Sequence, residues 1–152
     1  MAPKTSFISP ADLVVKGGKV RRDISEDLTT LLRGEKGVLV AYLFGSHARK
    51  VHTEKSDIDI AVLLSETPKD LLGYYLHLMK GLSEILGNEV DLVILNSSPP
   101  LLKHQVIKYG EIVFSRSEGA RVAFEARAQS EYLDFSRAME RYNECFMKQT
   151  LA

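Results

Sequence analysis

Tryptophan is absent from this 152-residue chain, cysteine occurs once, at Cys145, and proline only five times. A lone thiol excludes an internal disulfide and any cysteine-built zinc cage. It fits a reducing cytoplasm, which is the expected location. Net charge is also missing: 20 Lys and Arg are balanced by 20 Asp and Glu. That balance excludes the basic excess of a dedicated duplex nucleic-acid coat, though it leaves room for a local basic patch. No apolar run approaches the ~18 residues of a membrane span, so no membrane association is expected. The opening MAPKTSFISP has no apolar core of a secretory leader. There is no internal repeat and no low-complexity tract. What remains is 45% hydrophobic and 26% charged, the composition of an ordinary globular domain with one core.

The apolar pattern alternates between two periods. Residues 1–9 read as a loose arm. Ser9-Pro10 reads as the start of a short helix through Val15, broken at Gly17-Gly18. Ile24, Leu28, Leu31 and Leu32 recur at helical spacing and end at Gly34 and Gly37. VLVAYLF (38–44) reads as a buried strand and DIDIAVLL (57–64) as a second. Leu71, Tyr75, Leu78, Leu82 and Ile85 predict a helical stripe closed by Gly87-Asn88. EVDLVILN (89–96) predicts a third strand, SSPPLLKHQVIKYG a short helix after serine caps and prolines, and EIVFS a fourth strand. From Ser117 one long helix is expected, with Phe124, Ala128, Tyr132, Phe135, Met139, Tyr142 and Phe146 on its stripe. The fold class is therefore α/β or α+β: a small mixed sheet of about four strands with helices packed on it. The expected organisation is a single domain over 1–152, with an arm at 1–9, a core at 10–116 and a C-terminal helix at 117–152.

The chemistry concentrates in LFGSHARKVHTEKSDIDIAVLL, residues 43–64. Side chains two apart on a strand share a face. Asp57 and Asp59 therefore project together while Ile58 and Ile60 turn into the core. Two carboxylates this close resist ionising unless a cation lies between them, and hard cations such as Mg²⁺ take oxygen ligands. Alone, an Asp-x-Asp pair is as often a solvated strand entrance. Three further features raise its weight. Gly45-Ser46 leaves the preceding strand as a turn where a phosphate can approach the backbone and a helix N-terminus. Arg49 follows within a turn and can clamp a phosphate bidentately. Asp91, in EVDLVIL, completes a third carboxylate if its strand neighbours 57–64. Lys50, Lys55 and His47 are weaker candidates. No G-x-x-x-x-G-K-[ST] phosphate loop occurs.

Gly45-Ser46, ten intervening residues and Asp57-Ile58-Asp59 match the G-S-x10-D-x-D pattern of the DNA polymerase β-like nucleotidyltransferases. With Asp91, the chain over about residues 38–115 resembles the minimal nucleotidyltransferase (MNT) proteins, departing at Lys50, where that family often has glycine. The resemblance implies transfer of AMP from ATP to a hydroxyl. It implies two Mg²⁺ ions on Asp57, Asp59 and Asp91, and the triphosphate on Gly45, Ser46 and Arg49. MNT proteins are typically paired with HEPN toxins, so the resemblance further implies an antitoxin that adenylylates a tyrosine of a HEPN-family ribonuclease. No arginine lies four to six residues before any histidine here, so the HEPN signature itself is absent.

Size leaves little room for an acceptor-binding domain. The C-terminal helix, at ~30 residues and ~45 Å, is longer than a small sheet can cover. Tyr142, Phe146 and Met147 near its end are therefore candidate partner or dimer contacts. Two other readings stay open: a binding antitoxin that neutralises its partner by contact alone, and a nucleotidyltransferase acting on a small molecule.

Overall fold

The computed structural model describes residues 21–45, 57–87 and 89–151, and side chains from Ser25 onward. The predicted arm, the helix at Pro10 and the Gly17-Gly18 break lie outside the described residues. The elements run α1 (Arg21–Gly34), β1 (Val38–Phe44), β2 (Ile58–Leu64), α2 (Leu71–Leu86), β3 (Val90–Ile94), α3 (Pro100–Tyr109), β4 (Glu111–Ser115) and α4 (Glu118–Leu151).

The four strands form one mixed sheet in the order β3-β2-β1-β4. β1 is antiparallel to both β2 and β4, and β2 is parallel to β3. Both central strands are apolar nearly throughout because both faces of the sheet are covered. On one face Ile58, Ile60, Val62 and Leu64 meet Leu28 and Leu32 of α1 and Leu78, Leu82 and Leu86 of α2. On the other, Val40, Tyr42, Ala61 and Leu63 meet Val106 of α3 and Phe124 and Ala128 of α4. Each fully buried leucine contributes about 1.5–3 kcal/mol, enough for the two helix pairs to clamp the sheet from both sides.

Local chemistry sets the ends. The Asp70 carboxylate accepts from the Gly73 N–H at 3.0 Å and opens α2. Gly87, at φ 68°, closes it in the left-handed region where a side chain is strained. The α2 stripe is Leu78, Leu82 and Leu86 rather than one through Ile85, which is exposed. Steps of four keep three leucines on the sheet, and Ile85 falls outside that arc. β3 stops at Ile94, two residues earlier than expected, because Leu95–Ser97 tightens into a 3-10 turn. There the Asn96 amide donates to Leu64 O and accepts from Leu64 N, tying the turn to the end of β2. Pro99 rather than a serine side chain precedes α3. At the start of α4 the Ser117 hydroxyl accepts from the Ala120 N–H. No described helix is long and apolar enough to cross a membrane.

Candidate functional site at the mouth of the central strands

Where β2 begins, it lies beside β3 in parallel register, with Asp59 opposite Asp91. On its other side Asp59 stands opposite Phe44, the last residue of β1. Alternation fixes the face: Ile58, Ile60, Val90 and Leu92 fill the core beneath α1 and α2. Asp59 and Asp91 therefore share the opposite face, that of α3 and α4. Asp57, one residue before the strand, is exposed, as is Asp91, whereas Asp59 is half-buried. Two of the three predicted carboxylates are thus brought together by strand pairing, with the third at the strand mouth.

Their electrostatics is one-sided. Partial burial raises the Asp59 pKa above its usual value, and the negative charges of Asp91 and then Asp57 push it further in the same direction. No cation among the described residues offsets that cost. Such a group is poised to gain from a bound cation, which removes both penalties at once. Among the described residues no three His, Cys, Asp or Glu side chains already converge on a single point. The charges of Asp91 and Asp57 nonetheless both act on Asp59.

Gly45 belongs to the same site. It follows β1 directly, with φ 71°. A Cβ there would lie 2.1 Å from Asp59 Oδ2 and 2.9 Å from its Cγ. Glycine is required twice over, by the left-handed backbone and by the carboxylate packed against it. The absence of a side chain also opens the backbone to a ligand. An all-oxygen donor set, a destabilised carboxylate and a cradle that a Cβ would fill together suit a hard divalent cation. Ser46 and Arg49, with His47, Lys50 and Lys55, lie outside the described residues.

The sequence pattern did not reveal a polar network on the same face. The Tyr42 hydroxyl, in the middle of β1, donates to Glu125 Oε2 at 2.9 Å. Arg121 Nη1 donates to both Glu125 oxygens, at 3.1 and 2.9 Å, and its Nε pairs with Glu118. Burial, then the hydrogen bond to Glu125 and its charge, push the Tyr42 phenol well above the ordinary tyrosine range. It remains a donor and locks α4 onto β1. Tyr42 lies within the apolar run VLVAYLF, and nothing in the sequence pattern links it to Glu125, 83 residues on, or to Arg121. Only the fold joins them.

Tyr142, Phe146 and Met147 lie on the distal part of α4 and are 63%, 54% and 52% exposed. They take no part in the acidic site.

A model of the family described as "Polymerase beta, Nucleotidyltransferase" matches residues 26–119. Protein adenylyltransferase MntA of Shewanella oneidensis is 39% identical over 70 residues, 46% of this chain and 49% of that protein. Among solved structures, a chain of a toxin–antitoxin crystal structure with AMP-PNP superposes with a TM-score of 0.66 at 26% identity, covering 84% of this chain and 98% of that one. A chain of the complex between a tri-AMPylated Shewanella oneidensis HEPN toxin and its MNT antitoxin superposes with a TM-score of 0.63 at 25% identity, covering 87% and 99%.

Proposed function

This chain belongs to the polymerase β nucleotidyltransferase family, and from that premise we propose that it is the antitoxin of a two-component pair. It transfers AMP from ATP to a tyrosine hydroxyl of a HEPN-type ribonuclease toxin. The observation that carries the reading is the pairing of Asp59 with Asp91 across parallel strands, with Gly45 packed on the Asp59 carboxylate. The relatives supply the substrate class: one is named a protein adenylyltransferase, one structure holds an ATP analogue, and another holds an AMPylated toxin.

In this reading Asp57 and Asp59, with Asp91 beside them, hold Mg²⁺, two ions in all. Mg²⁺ held there would supply positive charge to the triphosphate and to the departing pyrophosphate. The acceptor oxygen forms a bond to the α-phosphorus while the bond to the bridging α–β oxygen breaks, and pyrophosphate departs with that electron pair. Asp91, exposed beside Asp59, would either bind the second of these ions or take the proton of the attacking hydroxyl. Gly45 lets the triphosphate approach the backbone, and Ser46 and Arg49 bind its phosphates. A cytoplasmic location accompanies this reading.

The test is incubation with labelled ATP, Mg²⁺ and the HEPN partner. Label should appear on the partner and disappear when its acceptor tyrosine is changed to phenylalanine. A stable complex that never acquires label, although nucleotide binds, would sink the enzymatic reading and leave neutralisation by contact.

A further inference from the structure

The long helix α4 changes character at Tyr132. Up to that residue its stripe serves the chain's own core: Phe124 and Ala128 are buried, and Tyr132 stacks on His104 with ring centroids 3.7 Å apart. These contacts follow steps of four, the spacing of a helix lying on a sheet. Beyond Tyr132 the stripe continues through Phe135, Met139, Tyr142 and Phe146, at alternating steps of three and four. That is a period of 3.5, the repeat of a helix that packs along another helix. The stretch from Leu133 to Leu151 is about 28 Å long at 1.5 Å per residue, and no residue in it is buried.

We infer that this half of α4 is an antiparallel pairing surface for a second copy of the same chain. The area is sufficient. Phe135, Met139, Tyr142 and Phe146 are 37%, 40%, 63% and 54% exposed. At about 200 Å² for side chains of this size, they present about 400 Å² per copy, the scale at which an apolar patch marks an interface. Two copies, with Leu133 and Met147 added at the edge, remove more than about 1,000 Å² from water, the threshold of a specific interface.

The pattern also selects the occupant. Set antiparallel on itself, the seam places Met139 against Tyr142 of the other copy, Phe135 against Phe146, and Leu133 beside Met147. The positions flanking the seam are Ser136, Ala138, Asn143 and Cys145, all small and uncharged. They leave room for the aromatic rings and set no charge against its own image. Charges at such flanks set the choice and orientation of a partner helix, and none stands there to oppose self-pairing. Here Arg137 and Glu144 lie on the outer face instead. Asp134 falls at the rim, near Lys148 of the other copy. The antiparallel sense also sets the two sheet-bearing bodies at opposite ends of the pair. This pairing is independent of nucleotidyl transfer.

Sedimentation of the full chain across a concentration series should show a reversible dimer. Tyr142→Glu combined with Phe146→Glu should shift it to monomer while the sheet-bearing body keeps the melting transition of the dilute wild-type chain. Register is read by cysteine pairing. Ala138→Cys should form an intermolecular disulfide with the native Cys145, whereas Arg137→Cys, on the outer face, should not. A wild-type chain that stays monomeric throughout would overturn the inference, as would equal crosslinking of the two cysteine variants. A monomer whose doubly substituted form loses its grip on a helical partner protein would overturn it too, and would assign the seam to that partner.

Discussion

At the scale of the single residue, Gly45 and Asp59 constrain each other. A methyl group at position 45 would be strained by the backbone, at φ 71°, and would collide with the Asp59 carboxylate. Gly45→Ala should therefore cost about 1–2 kcal/mol for the left-handed conformation alone and displace Asp59 as well. The expected outcome is a lowered melting temperature together with loss of nucleotide transfer. Asp59→Asn should separate the two effects. Its pKa is raised in the folded chain by burial and by Asp91 and Asp57, so folding takes up a proton. Stability in the absence of metal then falls as pH rises from the ordinary carboxylate value through the raised one, because the native state binds more protons than the unfolded state. Asp59→Asn should flatten that decline and melt no lower than wild type at neutral pH, while transfer drops by about 100-fold or more. Added Mg²⁺ should raise the wild-type melting temperature, by linkage, and leave that of the variant unchanged. Thermal melts across pH, with and without Mg²⁺, check both statements. The carboxylates were legible in the sequence because period-two alternation and an apolar strand around Asp91 suffice to align them. The steric reason for Gly45 was not, since it depends on which side chain the neighbouring strand turns toward it.

At the scale of the element, local pattern carried far and long-range polar contacts did not. β1 begins and ends where its apolar run does, and Gly87 closes α2 as its position predicts. Arg116 had no such signal. Its guanidinium donates to the carbonyls of Leu32, Glu35 and Val38, satisfying the open end of α1 from the β4–α4 turn. Sequence spacing cannot reveal contacts some 80 residues apart. The Tyr42–Glu125 bond is of the same kind and makes a clean test. Tyr42→Phe leaves Glu125 paired with Arg121, so it should cost only about 1 kcal/mol. Glu125→Ala leaves a buried phenol with no acceptor and should cost about 2–3 kcal/mol. The two should be non-additive in a double-mutant cycle read by urea denaturation. There is also a pH signature. The folded phenol titrates well above an unfolded tyrosine, so its contribution is complete at neutral pH. It declines once the unfolded side chain ionises, above about pH 10. Tyr42→Phe should lose less stability than wild type over that alkaline range.

At the scale of the whole molecule, the fold divides into a body that buries its side chains and an arm that buries none. The last buried residue of α4 is Ala128, and the stack of Tyr132 on His104 is the last ring contact between the arm and the body. An isolated helix with no packed face is marginal in water, and helical stability comes mostly from tertiary packing. The arm therefore either frays or is held by what it pairs with, and concentration distinguishes the two. If the seam pairs, the melting temperature of the full chain rises with protein concentration, because association stabilises the folded state by mass action. A chain ending at Asp134 keeps every buried contact of both cores. It should melt within a few degrees of the dilute full-length protein, with no concentration dependence, and should still bind nucleotide. Paired melts over a wide concentration range decide the matter. A truncated chain that melts far lower even against the most dilute full-length sample would mean that the arm packs on the body, contrary to the exposure of Phe135, Tyr142 and Phe146.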